Sequence, residues 1–332
     1  MCKAWEITNK TPELTKQEII ESITKFYNKF KIKRVRLLGG EPLLRKDLPE
    51  IISSISAFVK AEIVTNGVLI DEPLAEELIN SGLSSIRFSI DGPEETHDSF
   101  RGNGAFEMAI NGIENINNAK SKFSSVIPSV KIFPCISKTN VIHLKKMIQL
   151  AENLKAEFGL IFMYSMEDSE YNVTYDDEVI SQSRGTDPGD IVLSEKERLQ
   201  VLSDVRNMTK IETGKIKSYL KMIKWSLNQK FQQIYKTVYF DCYRTRSCII
   251  IDPWGKMFPC EFLYNYSYGH CISDGIKVWD SDKRKKIRKD IKAGKLNVCK
   301  MCNSQGNHRN LKMFFKNPNE LMRIFMRKYR NL

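Results

Sequence analysis

Strand-like and helix-like stretches alternate through the first half of this chain, and that order admits few folds. Short apolar runs fall at residues 35–38, 62–65, 86–90, 130–136 and 158–164. Between them, residues 48–59, 73–80, 106–119 and 144–154 place apolar side chains at helical spacing, and Gly82 marks a helix stop. A further amphipathic helix over 13–30 puts Ile19, Ile20, Ile23, Phe26, Tyr27 and Phe30 on one face. Five strands separated by helices predict a parallel sheet with helical cover, an α/β fold.

The remainder reads differently. Residues 167–193 are polar and include Gly-Thr-Asp-Pro-Gly-Asp, which predicts a loop over one end of the sheet. Ser194 with Glu197 is a capping-box pattern opening a helix to about 209, and a second helix is expected over 215–235. A domain boundary is expected near 210, giving units 1–210 and 211–332. Residues 249–258 read as a β-hairpin with a Pro-x-Gly turn, 279–291 as a helix, and 310–329 as a last amphipathic helix.

At 332 residues the chain has room for one large and one smaller core. No apolar run approaches the length of a membrane span, and no signal-peptide region opens the chain, so a cytoplasmic location is expected. The net charge is +12. Its densest run, Lys283–Lys286 with Arg288 and Lys289, is broken by Ile287 and Ile291 at helical spacing and reads as a solvated helix face. Nucleic-acid binding is not expected from it.

Eight cysteines without an export signal argue against a disulfide framework, and six of them follow residue 240. Cys248 and Cys260 flank the predicted hairpin, and Cys299 and Cys302 are two residues apart. Four thiolates suit a tetrahedral zinc or a 4Fe–4S cluster, and spacing alone does not separate the two. Cys242 is the leading substitute ligand and Cys271 a weaker one. Cys135 reads as a small buried residue in a strand.

The sharpest local signal is Leu37-Leu38-Gly39-Gly40-Glu41-Pro42, where a strand meets two glycines, an acid and a proline before a helix. Glycines without a Cβ let a backbone approach a ligand, and α/β folds place their sites at such strand ends. This run resembles the Gly-Gly-Glu-Pro motif of radical S-adenosylmethionine (SAM) enzymes. Ile63-Val64-Thr65-Asn66-Gly67, then Ile86 through Pro93, then His97-Asp98-Ser99-Phe100-Arg101-Gly102 match that family in its order.

The resemblance implies a partial (β/α)6 barrel, here without its first strand, plus a small Cys-rich α+β domain at the C-terminal end. Gly39, Gly40, Glu41 and Pro42 would hold the amino group of SAM. Ser89 and Asp91 share one face of a strand end; Ser89 would hydrogen-bond a ligand, and Asp91 would do the same or cap the turn before Gly92-Pro93. Asn66 is a ligand contact or a left-handed turn residue. Arg101 pairs with the SAM carboxylate or forms a structural salt bridge. Asn140 sits near the SAM ribose or caps a helix. Tyr164, Glu167, Tyr171 and Tyr175 are candidates to reach a substrate.

The C-terminal pattern, with Gly255, Cys260, Trp279 and the paired Cys299 and Cys302, resembles the auxiliary-cluster domains called SPASM and twitch. The twitch form implies one auxiliary 4Fe–4S cluster on Cys248, Cys260, Cys299 and Cys302. The catalytic 4Fe–4S cluster of the family takes three cysteines, of which Cys2 resembles the third. The first two are expected upstream, with the chain start placed too late; a natural truncation is the alternative.

The implied activity is reductive cleavage of SAM to a 5′-deoxyadenosyl radical that abstracts hydrogen from a peptide or small molecule. The auxiliary cluster would assist electron transfer, and an electron donor such as flavodoxin or ferredoxin would be the partner. The alternative is a non-catalytic zinc or iron–sulfur partner protein on a degenerate barrel.

Overall fold

The computed structural model describes residues 11–162, 173–175, 178–181, 193, 195–212, 214, 219–221, 242–260, 263, 266–293 and 295–296. The first helix, α1 (Lys16–Phe30), opens with a capping box in which Thr15 and Glu18 satisfy each other's backbone N–H groups. It is followed by β1 (Arg34–Leu37), α2 (Leu48–Ser56), β2 (Lys60–Thr65), α3 (Glu72–Asn80), β3 (Ser85–Phe88), α4 (Glu94–Arg101), α5 (Ala105–Lys122) and β4 (Ser129–Ile132). Then come β5 (Cys135–Ile136), α6 (Leu144–Asn153), β6 (Glu157–Phe158) and β7 (Ile161–Phe162).

Strands β1, β2, β3, β4 and β6 form one parallel sheet in that order, and β5 pairs with β7 in parallel beyond it. The five-stranded α/β expectation is met, with two differences. Each of the last two strands is broken in the middle. Pro134 has no N–H to give the ladder, which interrupts the run between β4 and β5. The break between β6 and β7 falls at Gly159, where a Cβ would lie 2.6 Å from the Phe133 ring. In addition, α4 was not expected, because its sequence is mostly polar.

The two faces of the sheet differ sharply. One row of register partners runs Leu37, Ile63, Ile86, Val130, and the next Thr65, Phe88, Ile132, Phe158. These residues face the helices, and Ile63, Ile86, Phe88 and Ile132 are fully buried against Ile52, Leu78, Ile113 and Ile148. The alternate residues, on the opposite face, are Arg34, Arg36, Glu62, Arg87, Lys131 and Glu157. A helix-covered apolar face and a charged concave face fit a sheet that curves toward a barrel.

The segment over 167–193, expected as a loop, contains an antiparallel pair, β8 (Val173–Tyr175) and β9 (Glu178–Ser181). Helix α7 (Glu195–Ile211) follows as expected. Most of the helix expected over 215–235 and all of that over 310–329 lie outside the described residues.

The C-terminal unit comprises a one-turn helix α8 (Tyr243–Ser247), then β10 (Ile250–Ile251), β11 (Lys256–Phe258) and β12 (Gly269–His270) in an antiparallel sheet, then α9 (Asp282–Lys292). The hairpin is where the sequence puts it. The helix expected over 279–291 is split into a 3₁₀ turn, Gly275–Asp280, and α9, with Ser281 capping the latter. The unit has its own core of Met257, Leu263, Tyr266, Val278, Ile287 and Ile291. Helix α1 serves both cores: Ile23 joins the first, while Leu14, just ahead of the helix, and Phe26 join the second. Leu14 N–H donates to Pro253 O at 2.7 Å, and Phe30 lies 4.8 Å from Trp279. Among the described residues, no helix is long and apolar enough to cross a membrane.

Candidate functional site

The Glu41 carboxylate ties the glycine loop to the neighbouring strand end. Thr65 Oγ1 donates to Glu41 Oε1 at 2.7 Å, and Asn66 N–H donates to Oε2 at 2.8 Å. Leu43 N–H also donates to Oε1, at 3.2 Å, which starts the 3₁₀ turn Pro42–Leu44. The loop after β1 is therefore fastened to the loop after β2 by one side chain. Gly39 and Gly40 are exposed, and a Cβ on either would meet no described atom within 4 Å. Packing among the described residues thus gives no reason for glycine there.

Asn66 is not the left-handed residue of its turn. That conformation belongs to Gly67, at φ +84°, where a Cβ would lie 2.6 Å from the Phe88 ring. The Asn66 side chain instead accepts from Val68 N–H at 3.0 Å, bracing the turn from within. Thr65, not singled out in the sequence, accepts from Gly67 N–H at 3.0 Å while donating to Glu41.

Ser89 and Asp91 lie just beyond β3 rather than inside it. The Ser89 N–H continues the ladder to Thr65 O, and its half-buried hydroxyl has no hydrogen-bond partner among the described residues. Asp91 is different: it is buried and fully engaged. Its Oδ1 accepts from Cys135 N–H at 2.8 Å, and its Oδ2 accepts from Arg101 Nε at 2.8 Å and Nη2 at 2.7 Å. Arg101 therefore forms the structural salt bridge. Asn140, 1% exposed, accepts from Ser137 N–H and donates to Cys135 O. It braces its own loop and makes no side-chain cap.

The His97 to Gly102 run has a structural account. His97 Nδ1 accepts from Asp91 N–H at 3.1 Å, and Asp98 caps α5 through Gly104 N–H and Phe106 N–H. Burial, with Arg101's charge adding to it, pushes the His97 imidazole below its ordinary pKa. That favours the neutral ring whose Nδ1 is free to accept. These residues hold α4 across the rim, so the ends of β1, β2, β3 and β5 are cross-linked by Glu41, Asp91, Arg101 and Asn140.

In the C-terminal unit, Ile250 pairs with Phe258 and Ile251 with Met257. Cys248 lies two residues before the paired part of the hairpin and Cys260 two residues after it, so both flank its open end. Cys242 is half-buried at the start of α8. Cys271 is buried, which pushes its thiol up and away from the thiolate form a metal takes. Cys2, Cys299 and Cys302, with Tyr164, Glu167 and Tyr171, lie outside the described residues, as does the side chain of Tyr175.

The basic run on α9 is not a wholly solvated face. Arg284 is 2% exposed. Its Nη1 donates to Trp279 O at 2.7 Å, its Nη2 to Thr245 O at 3.0 Å and Arg246 O at 3.1 Å, and its guanidinium sits 3.7 Å over the Trp279 ring. It thereby clamps the turn that leads to Cys248. The sequence could not separate this arginine from its exposed neighbours, because helical spacing marks the apolar face and an inward arginine looks like an outward one. Arg284→Ala leaves three carbonyls short of a donor. The expected loss is about 3 kcal/mol in the C-terminal unit, read by chemical denaturation, and Arg284→Lys should not restore it because an ammonium lacks the planar fork.

Residues 1–157 match the radical SAM superfamily, and residues 242–303 match SPASM, an iron–sulfur cluster-binding domain. A probable GTP 3′,8-cyclase of Archaeoglobus fulgidus is 37% identical over 108 residues, covering 32% of this chain and 36% of that protein. The mycofactocin maturase MftC of Mycolicibacterium smegmatis is 25% identical, covering 91% of this chain and 75% of that protein. The chain spans about a third of the length of the first of these. In structure, Streptococcus suis SuiB bound to the precursor peptide SuiA superposes with a TM-score of 0.57 at 14% identity, over 91% of this chain and 68% of that one. The fold is therefore the one the sequence implied, and the SPASM match falls on the Cys248–Cys260 hairpin. This chain carries a radical SAM domain followed by a SPASM domain.

Proposed function

We propose that this chain is a radical SAM enzyme that modifies a peptide. The observation that carries the reading is the fastening of the Gly39-Gly40 loop to the end of β2 through Glu41, because it presents bare backbone in a fixed place at the sheet's C-terminal edge. The residues suit SAM there: Gly39 and Gly40 would offer backbone to its amino group, and the Ser89 hydroxyl would donate or accept at the rim. When bound, SAM and a reduced 4Fe–4S cluster supply one-electron cleavage of a carbon–sulfur bond and removal of a hydrogen atom from substrate. The chain's own residues orient and enclose: Asp91, Arg101, His97 and Asn140 fix the rim, and Glu41 fixes the loop.

The C-terminal unit suits an auxiliary cluster. Cys248 and Cys260 flank the open end of the hairpin. The buried Tyr268 hydroxyl has no hydrogen-bond partner among the described residues, and burial, with a smaller contribution from Cys260, pushes its pKa up. A hydroxyl so placed would donate to cysteine sulfur, a common way for surrounding groups to tune a cluster. Cys299 and Cys302 would complete the four ligands. A peptide substrate is suggested by the maturase relative and by the precursor peptide that SuiB holds.

Protein that includes the two further cysteines expected ahead of Cys2, anaerobically reconstituted and reduced by dithionite or by flavodoxin, is expected to convert SAM to 5′-deoxyadenosine and methionine, followed by chromatography. Reconstituted protein that holds iron but leaves SAM intact would overturn the catalytic reading in favour of a binding partner. Bound zinc in place of iron would overturn the cluster assignment.

A further inference from the structure

The concave face of the sheet carries more cations than carboxylates. Glu62, with its side chain 9% exposed, receives Arg36 at 3.0 Å, Arg87 at 3.5 Å and Arg34 at 3.6 Å. Lys131 pairs with Glu157 at 2.8 Å on the same face. Arg34 and Arg36 have exposed side chains that water can solvate, but Arg87, which shares the same single carboxylate, is largely shielded, and charges interact more strongly away from water.

Arg87 is the best placed of the three. Its side chain is 17% exposed, its guanidinium lies 5.0 Å from the centre of the Phe133 ring, and its buried Nε has no hydrogen-bond partner. The register sets Arg87 beside Val64 and Lys131. Ser89 is two residues further along the strand, so Arg87 lies one row, about 6–7 Å, beneath that hydroxyl. Burial together with the charges of Arg36 and Arg34 depresses the Arg87 pKa, as expected for a cation short of a counter-charge.

We propose that this wall binds a carboxylate of the peptide substrate, with Arg87 as the group that receives it and Arg36 as its neighbour. The proposal rests on the peptide-modifying function above and names the substrate's chemistry: an acidic side chain or a C-terminal carboxylate near the reacting residue. Guanidinium groups meet carboxylates through paired hydrogen bonds, and the Phe133 ring would support the plane from one side.

Binding of three probes to the reconstituted protein, by calorimetry, tests it: N-acetyl-triglutamate amide, its triglutamine counterpart, and inorganic pyrophosphate. Triglutamate is expected to bind at least tenfold more tightly than triglutamine and to weaken with salt. Arg87→Gln is expected to lose at least tenfold and Arg36→Gln, at a more exposed position, several fold, with circular dichroism confirming folded protein. Lys289→Gln, which removes the same charge from an exposed site on α9, should bind as the unaltered protein does. Equal binding of triglutamate and triglutamine, or equal losses in Arg87→Gln and Lys289→Gln, would overturn the proposal, and pyrophosphate binding without triglutamate binding would replace the carboxylate with a phosphate. If Arg87→Gln does not fold, Arg36→Gln against Lys289→Gln decides by the same comparison. Cleavage of SAM by the unaltered protein without any peptide reads on the proposed function alone, so the two failures are distinct.

Discussion

Glu41→Ala should lower the rate of SAM cleavage about 100-fold while leaving the sheet folded. The carboxylate accepts from the Thr65 hydroxyl, Asn66 N–H and Leu43 N–H. Bonds to a charged acceptor contribute about 1.5–3 kcal/mol each, and truncation removes all three at once. The apolar face of the sheet is untouched, because the core behind it is formed by Ile63, Ile86 and Phe88 against the helices. The damage is therefore positional. Without its anchor the Gly39-Gly40 loop drifts, and a displacement of about 1 Å in a positioning element costs about 100-fold in rate. Glu41→Gln keeps an acceptor oxygen but loses the charge, and is expected to fall between. Deoxyadenosine formation over time gives the rate, and circular dichroism gives the fold. A Glu41→Ala protein with undiminished cleavage would remove the glycine loop from the site. Thr65→Val, which removes one of the three bonds to Glu41 and the acceptor of the Gly67 N–H, should show a smaller loss in the same assay.

The parts of this molecule that were legible in the sequence are those written in repeating patterns. Alternation of apolar strands and helices gave the sheet, and the Gly-Gly-Glu-Pro run placed the loop on the correct strand end. Side-chain assignments fared differently, because a polar residue at a strand end looks the same whether it meets a ligand or a neighbouring loop. Asp91, Arg101, Asn66 and Asn140 all have internal partners, while Ser89 keeps a hydroxyl without one. The charged face was visible as a period of two in Arg34-Val35-Arg36-Leu37 and again in Ser85-Ile86-Arg87-Phe88. Thr65 reaches Glu41, 24 residues away, and His97 turns back to the Asp91 N–H, and no helical or strand period reports either bond.

Cys260→Ala should remove the auxiliary cluster and with it about four irons per chain, since a four-iron cluster on four thiolates does not survive the loss of one in this closed setting. Cys248 and Cys260 flank the open end of the paired hairpin. Arg284 holds that same end by its bonds to Thr245 O and Arg246 O, three and two residues ahead of Cys248. Geometry set by backbone pairing and a buried clamp does not adjust to recruit a new ligand. Cys271, held buried as a thiol with its backbone N–H bonded to Gly255 O, is not positioned to replace it. Cys242 lies on the far side of the α8 turn, and Cys242→Ala is therefore expected to keep its iron. Iron analysis and Mössbauer spectra of the Cys248→Ala, Cys260→Ala and Cys242→Ala proteins separate these cases. If Cys242→Ala loses four irons and Cys248→Ala does not, the ligand lies at the opening of α8 and the hairpin only supports it. Because cluster binding contributes to the stability of the fold that supplies its ligands, the Cys260→Ala protein should also unfold its C-terminal unit at lower denaturant than the parent.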